Sequence, residues 1–536
     1  MRPVDFGQDK GIREEPDEIV IVRKDDEFEM LALQTEKAER AKRIEHRVRK
    51  GLRWGSWGLF ALEIIAVIVF VIYVGIQSFL PPLYFAILMI AAVLLLSVQY
   101  MALRLQRKPA GTSVISLAMS VIMLVTSISG VSILKMFYDS LANANQGANV
   151  STVVIHIFVK KESSYKELED LEYCTFGVRP EEMSDTMNQA VSRLRTALNN
   201  RLKISEYMDY GAMIEALKTD KVDAIILDQA LLSNVTENFD GTFTQWARAL
   251  DTNLRVEQSI HLTEVSVSKT PFIVYISGVD TRDGWPTQDN GLSDVNQIAV
   301  INPKAKKILL INTPRDTYVP LLGDTTKMDK LTHAGVYGIT CSMATLEELY
   351  DIQFNYYVRV NFHSLINIID TLGGITVQSD YTFTALPEAS AYKNTYTFYK
   401  GANYLTGDKA LAFARHRYGL PGGDMQRGLH QQRIIQAVLK KVTSAAVLSN
   451  FSGVLKAVTN NTKTNISSED INELLQMQLK DMASWDIETC ALNGYGMFGT
   501  LYAFGDGIKY DVLGVPEDQL AEIQGKIKAT LRAHKQ

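Results

Sequence analysis

Seven polar residues in the second half of this 536-residue chain stand out by type and spacing. Asp280 and Asp294 each lie beside the end of a β-rich run, and Arg315 follows the end of another. Arg415 and Arg417 are two apart, so an extended backbone would turn both to one side. Arg427 and Gln431 are four apart, one helical turn, and share a helix face. Guanidinium groups match phosphate oxygens in a bidentate way, and several that converge suit a diphosphate. Two aspartates next to phosphate make an oxygen environment of the kind Mg²⁺ takes. Spacing alone leaves a second reading equally open, in which these are ordinary surface ion pairs.

A frame for these residues is legible in the hydrophobic pattern. Phe272–Ser277, Asn296–Ile301 and Lys307–Ile311 read as strands, and the last opens into Asn312-Thr-Pro-Arg315-Asp316. Ser342–Tyr350 and Ser364–Leu372 read as helices, followed by Gly373-Gly374 and a strand at Ile375–Gln378. A helix is expected from about Arg427 to Val442. Polar groups at strand ends are where open α/β sheets keep their ligand sites. Upstream, Thr152–Val159 is β-rich, Glu181–Leu202 has helical periodicity, and Tyr210–Leu227 reads helix, tight turn, strand. That alternation implies an α/β accessory domain ending near Ser268. It loosely resembles one lobe of a bacterial solute-binding protein, shows no catalytic constellation, and is expected to be a spacer or docking domain.

The apolar residues, 46% of the chain, are unevenly spread. Ser56–Phe79, Leu83–Leu103 and Thr112–Leu134 are nearly uncharged runs, each long enough to cross about 30 Å of hydrocarbon as a helix. Lys37–Arg53 holds eight Lys/Arg against two Glu, and Arg104, Arg107 and Lys108 follow the second run. The positive-inside rule then puts the N-terminus in the cytoplasm and everything after about Lys135 outside. Glu63 is the one charge inside a span; it is expected to be protonated or to reach the nearby interface. Residues 1–29 are acidic and poor in apolar side chains, so they read as a disordered tail. The small polar stretch 142–150 reads as a stalk.

A formal charge of −5 argues against a nucleic-acid binder held by bulk charge. It sums unlike parts, since residues 1–134 hold 16 basic and 14 acidic side chains and the remainder 39 and 46, a net of −7 outside the membrane. Cys174, Cys341 and Cys490 have no zinc spacing and cannot staple a chain this long; one disulfide with one free thiol stays open.

The ordered motifs GVD (278–280), GLSDVN (291–296), NPKAKKILLINTPRDTYV (302–319), DKLTHAGVYG (329–338), LGGITV (372–377), TGDKALAFARHR (406–417) and DMQRGLHQQR (424–433) resemble the LytR–CpsA–Psr family. The resemblance implies a membrane-anchored phosphotransferase that moves a glycopolymer, a teichoic acid or capsule-like polysaccharide, from an undecaprenyl-pyrophosphate carrier to peptidoglycan, forming a phosphodiester. It implies that Asp280 and Asp294 bind Mg²⁺, or another divalent cation such as Mn²⁺. Arg315, Arg415, Arg417, Arg427 and Gln431 would clamp the pyrophosphate; Arg315, Arg415, Arg417 and Asp294 would be the catalytic set, with Asp316 a weaker candidate supporting Arg315. The implied partners are the lipid-linked glycan, the peptidoglycan acceptor, the bilayer and envelope-synthesis proteins, at a bacterial cell membrane.

The expected organisation is a partly disordered cytoplasmic tail (1–54), three transmembrane helices (55–137), an extracellular α/β accessory domain (138–268), an αβα-layered catalytic domain (269–445) and a C-terminal part completing or extending it (446–536). In one place the sequence departs from the family: Leu292 stands where an arginine often precedes the SD motif, with Arg282 or Arg433 as substitutes. Apolar positions of Phe362–Leu372 and Ile434–Val442 could line a lipid groove, though such stripes are more often core. His333 and His416 lie inside matched motifs without being compelled to act as bases, and flanking arginines should disfavour protonation of His416. Two other functions stay open: a lipid-pyrophosphate hydrolase sharing the same clamp, and a non-catalytic envelope regulator or glycan binder.

Overall fold

The computed structural model describes residues 24–534 apart from 77–80, 105–110, 145–149, 181–185, 229–230, 233–234, 237–238, 251, 253, 280–290, 445–452, 454–456, 459–460 and 506. Asp280, Arg282, the first 23 residues and most of the expected stalk lie outside the described residues. The chain forms two compact units, Met1–Val131 and Ser132–Gln536.

The first unit is helical. α1 (Lys24–Ile76), α2 (Pro82–Arg104) and α3 (Gly111–Ala144) include three segments long and apolar enough to cross a membrane, Leu33–Ile76, Pro82–Arg104 and Ile115–Met136. Residues 24–29, expected to belong to a disordered tail, are helical, since α1 begins at Lys24. Its leading half is rich in Glu, Lys, Arg, Ala and Leu, which lose little rotamer freedom in a helix, and Arg43 pairs with Glu39 one turn away. Glu63 does not reach for an interface. It is wholly buried and accepts hydrogen bonds from Gln99 Nε2 (3.1 Å) and Ser120 Oγ (2.7 Å), tying the three helices together. A buried polar atom in hydrocarbon must find its partner within the bundle.

The second unit contains two mixed sheets. In the accessory part, β1 (Val150–Lys160), β2 (Thr175–Val178), α4 (Thr186–Ala197), β3 (Lys203–Glu206), α5 (Tyr210–Lys218), β4 (Ala224–Asp228), β5 (Ala247–Leu250) and β6 (Arg255–Ser259) follow one another. The strand order is β3-β2-β4-β1-β5, with β6 also on β1. Completely buried apolar residues of β1, β2 and β4 fill the space under α4 and α5.

The larger sheet starts with β7 (Phe272–Val279), β8 (Ser293–Asn302) and β9 (Lys307–Asn312), consecutive and antiparallel. A hairpin, β10 (Tyr318–Pro320) with β11 (Met328–Lys330), precedes α6 (Ile339–Tyr350), β12 (Tyr356–Val360), α7 (Phe362–Thr371) and β13 (Ile375–Ser379). β14 (Phe383–Ala385), β15 (Tyr396–Phe398) and β16 (Gly401–Leu405) form two small ribbons before α8 (Gly407–Arg415) and α9 (Asp424–Val442). β17 (Thr462–Thr464), α10 (Ser468–Asp481), β18 (Asp486–Ala491), β19 (Tyr495–Thr500), β20 (Lys509–Gly514) and α11 (Glu517–Arg532) complete the chain.

The main sheet runs β17-β12-β7-β8-β9-β18, so the C-terminal segment supplies both edges. One face packs on α6 and α11 through Tyr275, Ile298, Ile311, Leu346 and Ile527; the other packs on α9 and α10 through Val274, Ala299, Leu310 and Ile435. The layering is αβα. Cys174, Cys341 and Cys490 are unbridged.

Candidate functional site

β7 and β9 end at the edge of the main sheet where β8 begins, and polar residues gather there. β8 opens with a register shift opposite Gly278/Val279, which sets Ser293 and Asp294 just inside the ladder. β9 runs out into Thr313-Pro314-Arg315, and the Thr332 backbone N–H holds the Arg315 carbonyl at 2.9 Å. α9 brings its first turn to the same place. It approaches β9 closely because residue 428 is glycine: a Cβ there would lie 2.6 Å from Asn312 Nδ2, the amide whose Oδ1 accepts from Gln297 Nε2 at 2.7 Å.

Arg315 is the centre of the cluster. Its Nη1 donates to Asp294 Oδ1 at 2.8 Å, and its Nε lies 3.7 Å from Asp316 Oδ2 and 3.9 Å from Asp424 Oδ1. Burial opposes its charge, but the three carboxylates outweigh that and hold its pKa above the ordinary guanidinium range. Arg427, nearly buried, sets Nη2 2.6 Å from the same Asp424 oxygen. Burial, together with Arg315 and Arg417, pushes its pKa down against the pull of Asp424 and Asp294. Asp316 takes Lys330 Nζ at 3.0 Å; although burial opposes its ionisation, Lys330 and Arg315 draw its pKa below the usual carboxylate value. Cations thus meet an almost equal number of carboxylates, and an entering anion must compete with Asp424 for two guanidiniums. Such pairing also holds the guanidiniums in place before anything binds.

Comparison with known proteins bears on this arrangement. The family model described as the LytR_cpsA_psr family matches residues 238–529, just over half the chain. The polyisoprenyl-teichoic acid–peptidoglycan teichoic acid transferase TagU of Bacillus mycoides (strain KBAB4) is 33% identical over 304 residues, covering 56% of this chain and 91% of the relative. The chain belongs to the LytR–CpsA–Psr family. TagU of Bacillus subtilis (strain 168) is 36% identical over 233 residues, 42% of this chain and 72% of that protein. Among solved structures, B. subtilis TagV superposes with a TM-score of 0.42 at 26% identity, covering 49% of this chain and 98% of that one.

The residues matched to the family's motifs do not all converge. Asp294, Arg315 and Arg427 form the cluster, and Arg417 is close enough to depress the Arg427 pKa. Arg417 itself donates to the Tyr418 hydroxyl at 2.9 Å and stacks over that ring. Arg415 turns away. It is the last residue of α8 rather than part of an extended segment, and α8 ends where His416 becomes extended. The extended segment expected to give Arg415 and Arg417 a shared side is therefore not formed: Arg415 Nη1 donates to the Glu388 carbonyl at 3.0 Å and its guanidinium covers Phe362 at 4.5 Å. Gln431 is tethered weakly to the Ala414 carbonyl, 3.4 Å away.

Other expectations resolve differently. Arg433 does not replace the arginine missing at 292, because it binds Asp380 at 2.6 Å and the Gln378 carbonyl at 3.1 Å. Leu292 packs into the accessory core with Phe239 and Val336, which accounts for an apolar residue there. His416 has its pKa lowered as expected, but by burial, its ring stacked on Phe383 at 4.8 Å, rather than by flanking arginines. His333 Nδ1 is 2.6 Å from Asp329 Oδ1, inside the fold. The apolar positions of α7 and α9 close on one another as core, through Ile368, Leu372, Val438 and Val442.

Asp424 and Lys330 were missed as members of the cluster. Both sit in the quoted motifs, and Asp424 is three residues before Arg427, a helical ion-pair spacing that could have marked it.

Proposed function

We propose that this chain is a membrane-anchored phosphotransferase with its catalytic part outside the cell, moving a glycopolymer from an undecaprenyl-pyrophosphate carrier to peptidoglycan. One observation carries the reading: Arg315 and Arg427, with Arg417 beside them, meet Asp294 at a single sheet edge. Relatives named teichoic acid transferases support the class of donor and acceptor. The basic residues flanking the apolar helices support a cytoplasmic N-terminus and an exterior C-terminal region.

In the reaction an acceptor hydroxyl attacks the phosphorus that carries the glycan. The new P–O bond joins glycan phosphate to peptidoglycan, the bridging P–O bond breaks, the hydroxyl proton is lost, and polyprenyl phosphate leaves. Negative charge grows on the leaving phosphate and on the transferred group. Arg315 and Arg427, already oriented by carboxylates, offset that charge without reorganising. Arg417, less constrained, follows the diphosphate as it displaces Asp424.

Magnesium fits these donors. Asp294 gives one oxygen to Arg315 and has a second to offer, and Mg²⁺ commonly takes only one or two carboxylates beside phosphate oxygens and water. Bound there, with Asp280 as the family-matched second aspartate, it would neutralise phosphate charge.

The test uses the full-length protein in nanodiscs with a mass-tagged lipid-pyrophosphate glycan, Mg²⁺ and purified peptidoglycan. Glycan covalently joined to peptidoglycan, with one polyprenyl phosphate released per transfer, supports the proposal. Release of free glycan phosphate without attachment would make the protein a hydrolase, and binding without release would make it a glycan receptor.

A further inference from the structure

One buried side chain of the accessory domain, Arg179, hydrogen-bonds the C-terminal segment that leads toward the arginine cluster. Arg179 follows β2, is 5% exposed, and lies between the rings of Tyr210 (4.8 Å) and Tyr502 (5.1 Å). Its Nε donates to the Met208 carbonyl at 3.0 Å within its own domain. Its other two nitrogens cross to the C-terminal segment, Nη1 to the Ala503 carbonyl at 3.0 Å and Nη2 to the Tyr502 carbonyl. A guanidinium suits this place because its fork satisfies three carbonyls in one plane. Gly505, at φ +67°, allows the approach, since a Cβ there would stand 2.6 Å from the Met208 carbonyl oxygen.

Residues 502–504 then lead inward. The Ala503 N–H donates to Asp329 Oδ2 at 2.6 Å, and the other oxygen of that wholly buried carboxylate holds His333. Phe504 packs between Phe239 of the accessory domain and the His333 ring, with centroids 5.5 and 5.3 Å away. Next to Asp329, Lys330 reaches Asp316 at 3.0 Å, and Asp316 flanks Arg315 at 3.7 Å. The Thr332 N–H fixes the Arg315 carbonyl. Each step is a direct contact, and Leu292 and Val336 share the accessory core on the same side.

We propose that Arg179 is a positioning residue for the anion clamp, so that the accessory domain is a working wall of the site rather than a spacer. Without Arg179 the Ala503 and Tyr502 carbonyls lose this donor, the 502–505 segment loosens its hold on Asp329, and Lys330 and Asp316 no longer fix Arg315. This rests on Arg315 and Arg427 being an anion site.

The experiment measures binding of inorganic pyrophosphate with Mg²⁺ to the full-length protein in nanodiscs by calorimetry, beside thermal melting of each variant. Arg179→Ala is expected to weaken binding about tenfold, the range for a substitution along a packed network. Arg179→Lys should recover part of the loss, and Arg179→Met, which keeps the stem between the two rings, is read if the alanine variant does not fold. Lys330→Met cuts the path near its far end; added to Arg179→Met it should cost less than about threefold more, because both act through Asp316. Fully multiplied effects, or a folded Arg179→Met variant that binds within twofold of wild type, would overturn the inference. Arg427→Ala is the control. If it keeps full affinity the clamp assignment falls and this inference with it, whereas loss in Arg427→Ala with none in Arg179→Met sinks this inference alone.

Discussion

Asp424 lies against both guanidiniums proposed to bind the diphosphate, and replacing it with asparagine keeps its shape while removing the charge. Its Oδ1 is 2.6 Å from Arg427 Nη2 and 3.9 Å from Arg315 Nε. At an effective dielectric of about 20 the longer contact alone corresponds to roughly 4 kcal/mol. The Asp424 side chain is 27% exposed and that of Arg315 23%, so solvent screening and the other carboxylates reduce the net attraction to about 1–1.5 kcal/mol. An incoming anion must overcome that attraction in the wild type and not in Asp424→Asn. The variant is therefore expected to bind inorganic pyrophosphate with Mg²⁺ about tenfold more tightly, at about 1.4 kcal/mol per decade. Calorimetry on the full-length protein at two ionic strengths is the assay, and the gain should shrink as salt rises. Thermal stability should drop slightly, because Arg427 loses its nearest anion while keeping the attraction of Asp294. Equal or weaker binding by the asparagine variant would refute the competition argument and make Asp424 a group that aligns the arginines or helps to hold the cation.

Arg427→Ala should lower kcat/KM for polyprenyl phosphate release by about 10²–10³-fold, the usual cost of one preorganised charge donor; a loss under threefold would remove Arg427 from the site. His430 lies wholly buried between Phe383 and Phe413, and burial pushes its pKa down to about 4. Its folded pKa is below the ordinary 6.5, so its contribution is whole above pH 6.5 and is lost as pH falls toward 4. His430→Phe, which preserves the stack, should remove about 3 kcal/mol of that acid-dependent loss, read by thermal melts from pH 7 to 4; an unchanged pH profile would show that the loss arises elsewhere. A phosphatase reporter fused after Lys135 should be active outside the cell, and activity confined to the cytoplasm would reverse the orientation.

Several features follow from local order in the chain. Uniform apolar runs impose membrane-length helices, since hydrocarbon requires continuous internal hydrogen bonding whatever the surroundings. Strands at 272–279 and 307–312 and helices at 339–350 and 362–371 fall where apolar period and glycine punctuation put them. The motif order was sufficient to indicate the family. What depended on folding was the company each polar group keeps. Arg415 and Arg417 are neighbours in sequence, yet one caps a helix end against Glu388 and the other lies over Tyr418, because α8 ends between them. Glu63 is held by Gln99 and Ser120 from two other helices, partners that its own stretch of sequence does not name. Leu292 stands where the family often has arginine, and the accessory core gives it an apolar place.

The sequence by itself determined the three membrane-length segments and the α/β class, since both are written in local periodicity and composition, and its ordered motifs indicated the family. Tertiary structure alone decided that the arginines are met by Asp294, Asp316 and Asp424, and that Arg179 meets the Ala503 carbonyl, 324 residues away in the C-terminal segment. Charge balance at a site is a sum over groups brought together in space, and no spacing along the chain contains that sum.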